Sequence, residues 1–313
     1  MRVDLADVQK KNIENTIVIS GAPRSGTTLL GRLVSTMANV EYHYEPPTFW
    51  MICGLLAMKA VDPQAAEWLL RFYLHEELLC ESVSGRRANL RPTDDSLVLN
   101  SIHWPDLMHR MTTVRNRDDA LRYIAEKGSR LAIKMPSVID AMPLIAQALP
   151  RSQYIIIVRN GWDVVASVKK KGWLSDEGLK NNYYPYKMVD GIRVPHLVED
   201  EHAQDWIQWS AVTRACYLWR RDTEFSQAVQ KSDFKGRVFF MPYEKLISTP
   251  EKTLGEVSQF ISADFTDLTK LGILAIKTDK EVGAANARAL AAECDPEQLR
   301  QFQAANAVWG YRA

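Results

Sequence analysis

Gly21-Ala22-Pro23-Arg24-Ser25-Gly26-Thr27-Thr28 stands between a short β-branched run, Thr16 to Ser20 (TIVIS), and a segment, Thr27 to Ala38, in which Leu29, Leu30, Leu33, Val34 and Met37 recur at helical spacing. The order is strand, glycine-rich loop, helix, the context in which backbone N–H groups and a helix N-terminus cradle phosphate. The spacing is that of the nucleotide loop G-x-x-x-x-G-K-[ST] with one replacement. Thr27 stands where a lysine would reach a terminal triphosphate, while the cation of the loop, Arg24, lies inside it. Such a loop suits an anion held by backbone donors, two hydroxyls and a guanidinium, without obligatory Mg²⁺.

The same alternation continues downstream. Leu131 to Lys134 (LAIK) reads as a strand, Ser137 to Leu149 as a helix, Gln153 to Val158 (QYIIIV) as a strand, and a helix follows from about Gly161. A long helical pattern from about His202 to Gln230 leads to the strand Arg237 to Met241 (RVFFM) and then to a helix over Pro250 to Ile261. Asp295-Pro296-Glu297-Gln298 is a helix start, with a cap and a proline at the first helical position. Continuous apolar strands between helices predict an α/β, three-layer, P-loop-like fold: a central parallel sheet flanked by helices. Two stretches rich in Trp, Tyr and Pro, approximately 48–127 and 173–201, read as helical or irregular lid insertions over the sheet edge, where substrates are selected. There is no internal repeat, linker or low-complexity tract, so residues 1–313 read as one elaborated domain, which fits a length of about two 150-residue units at most.

Composition narrows the function classes. The chain is 46% hydrophobic and 25% charged, which excludes fibrous and disordered readings. Lys+Arg 39 against Asp+Glu 38 leaves +1, so no global field advertises nucleic acid or an acidic membrane, and any anionic ligand must be held by local charges. Apolar stretches such as Met51 to Met58 fall short of the roughly 18 residues of a membrane span, and the polar N-terminus lacks the pattern of a secretory signal. A cytoplasmic protein is expected. Cys53, Cys80, Cys216 and Cys294 are far apart without a C-x-x-C pair and are expected to be reduced, mostly buried thiols, with no metal cluster visible in the spacing.

The octet resembles the loop P-[KR]-S-G-T-[TS] of the sulfotransferases that use 3′-phosphoadenosine-5′-phosphosulfate (PAPS), which binds the 5′-phosphosulfate. A second block of that family, a strand ending in Arg followed by a helix carrying Ser, binds the 3′-phosphate, and Ile155 to Ser167 (IIIVRNGWDVVAS) is similar to it, with Arg159 and Ser167 at the matching places. Phe240 to Leu246 (FMPYEKL), with Tyr243, resembles the Y-E-[DK]-L segment, and Ala289 to Tyr311 resembles the closing helical part of bacterial members. Arg288 lies where many members carry a basic loop over the 3′-phosphate. The resemblance implies that Arg24, Ser25, Gly26, Thr27, Thr28, Arg159, Ser167, Tyr243 and Arg288 bind the donor. The donor carries about four negative charges near neutrality. Arg24 and Lys134 can face its sulfonate end and Arg159, with Arg288 or part of Lys169-Lys170-Lys171, the other; for the lysine triplet a solvated helix face is the preferred reading.

Sulfonyl transfer is an in-line displacement that needs a base on the acceptor, cations on the transferred group and donors on the leaving phosphate. One branch of the resembled family uses a His two residues after a Lys; here Lys134-Met135-Pro136 keeps the Lys and replaces the His with Pro136. Other branches, carbohydrate, tyrosyl-protein and bacterial, use a Glu after the loop helix, the place of Val40 to Pro47 (VEYHYEPP). Strand alternation puts Glu41, His43 and Glu45 on one side, with Glu45 at the opening end and taken as the base. His43 and His103 are the alternatives. The expected catalytic set is Glu45, Lys134 and Arg24, with PAPS as co-substrate and no metal, and with a small-molecule acceptor rather than nucleic acid or membrane. Trp50, Trp104, Trp173, Tyr183, Tyr184 and Tyr186 are candidates to stack on it. A kinase or nucleotidase using ATP and Mg²⁺, and a non-catalytic nucleotide-binding protein, are the competing readings.

Overall fold

The structure is a computed structural model that describes residues 6–94, 96–181, 185–232, 234, 236–277 and 287–311. Strands β1 (Ile17–Ser20), β2 (Val40–Tyr44), β3 (Arg130–Lys134), β4 (Gln153–Val158) and β7 (Val238–Pro242) form a sheet in the order β2-β3-β1-β4-β7. Every pairing in it is parallel. β5 (Tyr186–Val189) and β6 (Ile192–Pro195) make a separate antiparallel hairpin. β1 lies between β3 and β4, so the chain leaves the centre of the sheet first to one side and then to the other. The loop after β1 therefore opens at the point where the strand order reverses, the usual crevice of an open parallel sheet.

The inner strands β1, β3 and β4 are largely apolar because both faces are covered, while the edge strands β2 and β7 are half-buried for most of their length. Val18, Ile133, Tyr154 and Ile156 pack on one face with Phe49, Leu70, Leu74, Leu78 and Ile145. Ile17, Ile19, Ala132, Ile155 and Ile157 pack on the other with Leu30, Val34, Leu254 and Val257. A third core joins the helices Gly161–Lys171, Ala211–Gln230 and Pro296–Val308 through Trp162, Trp206, Trp219 and Phe302. The α/β three-layer reading is thus the observed fold.

Three local readings change. The stretch 48–127 is mostly helical, and its helices Pro47–Ala57 and Pro63–Phe72, with the π-helical Tyr73–Cys80, bury one whole face of the sheet besides reaching its rim. The long pattern from His202 divides into the helices Ala203–Gln208 and Ala211–Gln230; Ser210 ends the first segment and caps the second, its Oγ accepting from Thr213 N at 3.0 Å. The helix expected from Ser137 begins at Met142, because Ser137 adopts φ 52° and cannot propagate helical geometry. No helix among the described residues is long and apolar enough to cross a membrane.

Candidate functional site

Parallel register aligns the strand ends. Tyr44 pairs with Lys134, Lys134 with Ile19, Ile19 with Ile155, and Val158 with Pro242, so Glu45, Lys134, the glycine loop, Arg159 and Tyr243 all emerge at one edge of the sheet. Chain segments remote in sequence meet there because each follows a strand of the same sheet.

The loop turns on two glycines with positive φ. Gly26, at 102°, caps the helix Thr27–Ser35, and a Cβ on it would enter the Tyr243 ring; a Cβ on Gly21, at 144°, would meet the Ile157 carbonyl. Tyr243 is therefore a wall beneath the loop, only 4% exposed. Ser25 and Thr27 are buried and the Arg24 side chain is exposed. Arg24 (φ 71°), Glu45 (φ 43°) and Ser137 (φ 52°) are three non-glycine residues in the left-handed region, and each follows a strand end at this edge. Such conformations cost of order 1 kcal/mol or more and persist where the surroundings enforce them.

Two charged constellations result. In the first, Arg24 Nε donates to Ser167 Oγ at 3.0 Å, and Arg159 Nη1 donates to the Arg24 carbonyl at 3.2 Å. The Arg159 guanidinium lies 4.5 Å from the Tyr243 ring centroid and pairs with Asp163 at 3.3 Å. Ser25 Oγ and Arg159 Nε are buried here without a hydrogen-bond partner. Orphaned donors beside a helix N-terminus are what an anionic phosphate would satisfy, and the set of groups present fits one. In the second constellation, Lys134, 1% exposed, donates through Nζ to Glu45 Oε1, and its ammonium stands 4.0 Å from the Tyr44 ring centroid. Glu45 N donates to the Lys134 carbonyl at 2.8 Å, which holds the two side chains in this relation.

The other candidates fall elsewhere. Extended backbone ends at Tyr44, so the alternation from Glu41 and His43 does not carry through to Glu45. Glu41 pairs with Arg110 at 2.6 Å. His43 is hydrogen-bonded to Ser82 Oγ at 2.6 Å and lies 3.2 Å from the Leu78 carbonyl, and burial, assisted by Arg87, pushes its pKa down to about 4. It is a neutral structural imidazole. His103 precedes the helix Trp104–Thr113 and lines, with Ala38, Asn39 and Val40, a cleft of about 840 Å³ at the opposite edge of the sheet, where β2 begins. Arg288 is exposed on the short helix Ala287–Ala291, which packs against the helix of Ser167. Lys169 is bonded to Glu293, as a solvated helix face would be. Thr28 lies in the first turn of the loop helix.

Of the aromatic candidates, Trp173 reaches the loop: Arg24 sits 5.6 Å from its ring centroid, and it lines a mainly apolar cavity of about 60 Å³ with Ala22, Pro23, Ser137, His196 and Trp219. Trp50 is core, Trp104 is half exposed on the helix it begins, Tyr186 packs on Arg193 in the hairpin, and Tyr183 and Tyr184 lie outside the described residues. Sequence reading missed Tyr44, whose ring faces Lys134, and Asp163 and Asp222. The signal for Asp163 was its place one turn after Arg159; Asp222, buried on the long helix and accepting from Ser137 Oγ at 2.8 Å, carried none. Spacing also missed the cluster His75, Glu76 and Cys80, which the π-helical turn gathers. Arg117 holds both Glu76 oxygens, at 2.6 and 2.9 Å, and keeps that carboxylate down at about 2.

Comparison with known proteins bears on the family and the fold. A sequence profile described as "Sulfotransferase family" matches residues 16–267. Among curated proteins none matches the sequence significantly. Among solved structures, the sulfotransferase domain from the curacin biosynthetic pathway superposes with a TM-score of 0.51 at 13% identity, covering 95% of this chain and 98% of that one. The sulfotransferase domain of the olefin synthase of Synechococcus PCC 7002 gives 0.48 at 15%, covering 100% and 98%, and sulfotransferase STF9 of Mycobacterium avium gives 0.49 at 14%, covering 95% and 77%.

Proposed function

Because the chain belongs to the sulfotransferase family, we propose that it moves a sulfonate group from PAPS to a hydroxyl, or an amine, of a small-molecule acceptor and releases 3′,5′-adenosine bisphosphate. The observation that carries the donor assignment is the junction of two remote segments: Arg24 of the glycine loop bonded to Ser167, with Arg159 on the carbonyl of Arg24. A nucleotide phosphorylated at both ends needs two anion sites side by side, and this junction offers them. The backbone and hydroxyls of Ser25 to Thr28 receive the 5′ end, and Arg159 and Ser167, supplemented by Arg288, receive the 3′-phosphate. We place the reaction in the cytoplasm and in one domain.

In this reading Glu45 takes the acceptor proton. Lys134 and Arg24 stabilise the charge that builds on the transferred group and the bridging oxygen, and the hydroxyls of Thr27 and Thr28 support the leaving phosphate. Glu45 is half-buried beside Lys134, so the base and the main cation stand within one hydrogen bond of each other. With Thr27 in place of the loop lysine, ATP would lack the cation that reaches its terminal phosphates.

Calorimetric titration with 3′,5′-adenosine bisphosphate, beside ATP with Mg²⁺, tests the reading. Micromolar binding of the bisphosphate that Arg159→Ala weakens at least tenfold is expected. Binding of ATP with Mg²⁺ and not of the bisphosphate would overturn it.

A further inference from the structure

Ser137 and Asp222 meet beneath the glycine loop, and the chemistry proposed above uses neither. Asp222 lies on the long helix Ala211–Gln230 and is 2% exposed; Ser137 is 5% exposed. Ser137 Oγ donates to Asp222 Oδ2 at 2.8 Å. The adjacent cation, Arg221, is engaged by Glu199 and Glu224, each at 3.1 Å, so the bond that Asp222 makes is to a neutral hydroxyl. Burial pushes its pKa up to about 7. A carboxyl group buried with so little compensation disfavours folding, and an apolar side chain of similar volume would fill the space with less penalty.

The backbone of Ser137 shows what the bond secures. Ser137 follows the end of β3 and takes a left-handed φ of 52°. In that conformation its N–H donates to the Gly21 carbonyl at 3.1 Å, and Met135 N, just before it, donates to the Ile19 carbonyl at 2.9 Å. Gly21 opens the glycine loop and is confined there, since a Cβ on it would meet the Ile157 carbonyl. The loop then turns as Ser25 N donates to the Ala22 carbonyl at 3.1 Å, and Ser25 carries one of the orphaned buried donors. Trp219, on the same helix as Asp222, lines the small cavity against Ala22, Pro23 and Ser137. The long helix thus backs the loop twice, through the Trp219 wall and through the bond from Ser137 to Asp222.

We propose that Asp222, acting through Ser137, is a positioning residue for the glycine loop. The bond from Ser137 Oγ holds the serine in its left-handed turn, and in that turn the serine N–H holds the Gly21 carbonyl. On the reading of this loop as the donor site, the pair sets the direction in which Ser25 to Thr28 present their donors to the 5′ end of the nucleotide. Both residues act through the loop rather than on the ligand. Without the bond, Ser137 relaxes toward ordinary backbone conformations and releases Gly21, so a smaller fraction of the protein is competent to bind and the apparent affinity falls by that fraction.

Two readouts test this on the full chain: hydrogen–deuterium exchange of peptides covering residues 21–28 in the ligand-free protein, and calorimetric titration with 3′,5′-adenosine bisphosphate. Ser137→Ala and Asp222→Ala are each expected to speed exchange of the loop and to weaken the bisphosphate about fivefold or more, with the double variant no weaker than the worse single one. Asp222→Asn keeps an oxygen to accept from Ser137 and is expected to stay within about twofold of the unsubstituted protein. Unchanged loop exchange in folded Ser137→Ala, single effects that multiply in the double variant, or an Asp222→Asn as impaired as Asp222→Ala would each overturn the assignment. Should Asp222→Ala fail to fold, Ser137→Ala decides. Absence of bisphosphate binding in the unsubstituted protein would sink the donor reading instead, and loop exchange would still decide the positioning role.

Discussion

At the residue scale, the pair Lys134 and Glu45 carries most of the proposed chemistry. A lysine 1% exposed keeps its charge only with a partner, and the partner is the carboxylate proposed as the base. Glu45→Gln retains an oxygen to accept from Lys134 but cannot take a proton. Sulfonyl transfer is expected to fall at least about 100-fold while bisphosphate affinity changes little, read by turnover with an acceptor found by screening and by calorimetry. Lys134→Ala is expected to lower both transfer and stability, because it removes the buried half of the pair. Gly26 marks a different limit, steric rather than electrostatic. Gly26→Ala places a methyl group against the Tyr243 ring at a φ of 102°, so bisphosphate binding is expected to be lost together with about 2 kcal/mol or more of stability, measured by calorimetry and urea unfolding.

At the scale of elements, two buried groups packed between helices and strands should bend the stability profile in opposite senses. Burial lowers His43, on β2, to about 4, so the unfolded chain binds its proton first, and stability is lost as pH falls from about 6.5 toward 4. Asp222, on the long helix, faces Ser137, Asp140 and Arg221, and burial raises it to about 7. The folded form holds that proton, so its contribution is present below the ordinary carboxylate range and is lost as pH rises from about 4 to about 7. Asp222→Asn is therefore expected to steepen the gain in urea-unfolding free energy between pH 5 and 7, and a flat difference from the unsubstituted protein would sink the assignment. Legibility in the sequence follows the same division between local and tertiary causes. TIVIS, LAIK and QYIIIV announced themselves as strands because burial on both faces leaves no polar alternation to confuse with a helix, and the half-buried edge strand RVFFM did so by its short β-branched and aromatic run. The break at Trp209 and Ser210 was hidden because one serine cap interrupts an otherwise continuous helical period. The helices of residues 47–83 were obscured because a helix buried against a sheet is apolar on much of its surface; Pro47–Ala57 carries Phe49, Trp50, Ile52 and Cys53 into the core.

At the scale of the whole molecule, a chain of net charge +1 can hold a nucleotide of about four negative charges only by gathering its cations at one edge. Bisphosphate affinity is therefore expected to fall with added salt, and at about 100 times its Kd the ligand is expected to stabilise the fold by about 2.7 kcal/mol, or roughly 4 °C in Tm for a chain of this length, with the shift absent in Arg159→Ala. The glycine loop, Lys134, Arg159 and Ser167 were legible as candidate site residues because each lies in a motif or at a strand end. That Arg24 touches Ser167, that Glu45 reaches Lys134 and that His43 turns away to Ser82 were not, since those contacts depend on side-chain direction at the rim and on a left-handed backbone that no local spacing encodes. Alignment of the strand ends has a consequence for how the protein fails. Residues 24, 45, 134, 159 and 243 are neighbours only through the registration of strands from both sides of β1, so no fragment of the chain contains the site. Loss of either outer strand disperses it at once, which makes nucleotide binding an all-or-none reporter of the intact sheet: in a denaturant titration, binding and backbone structure should vanish together.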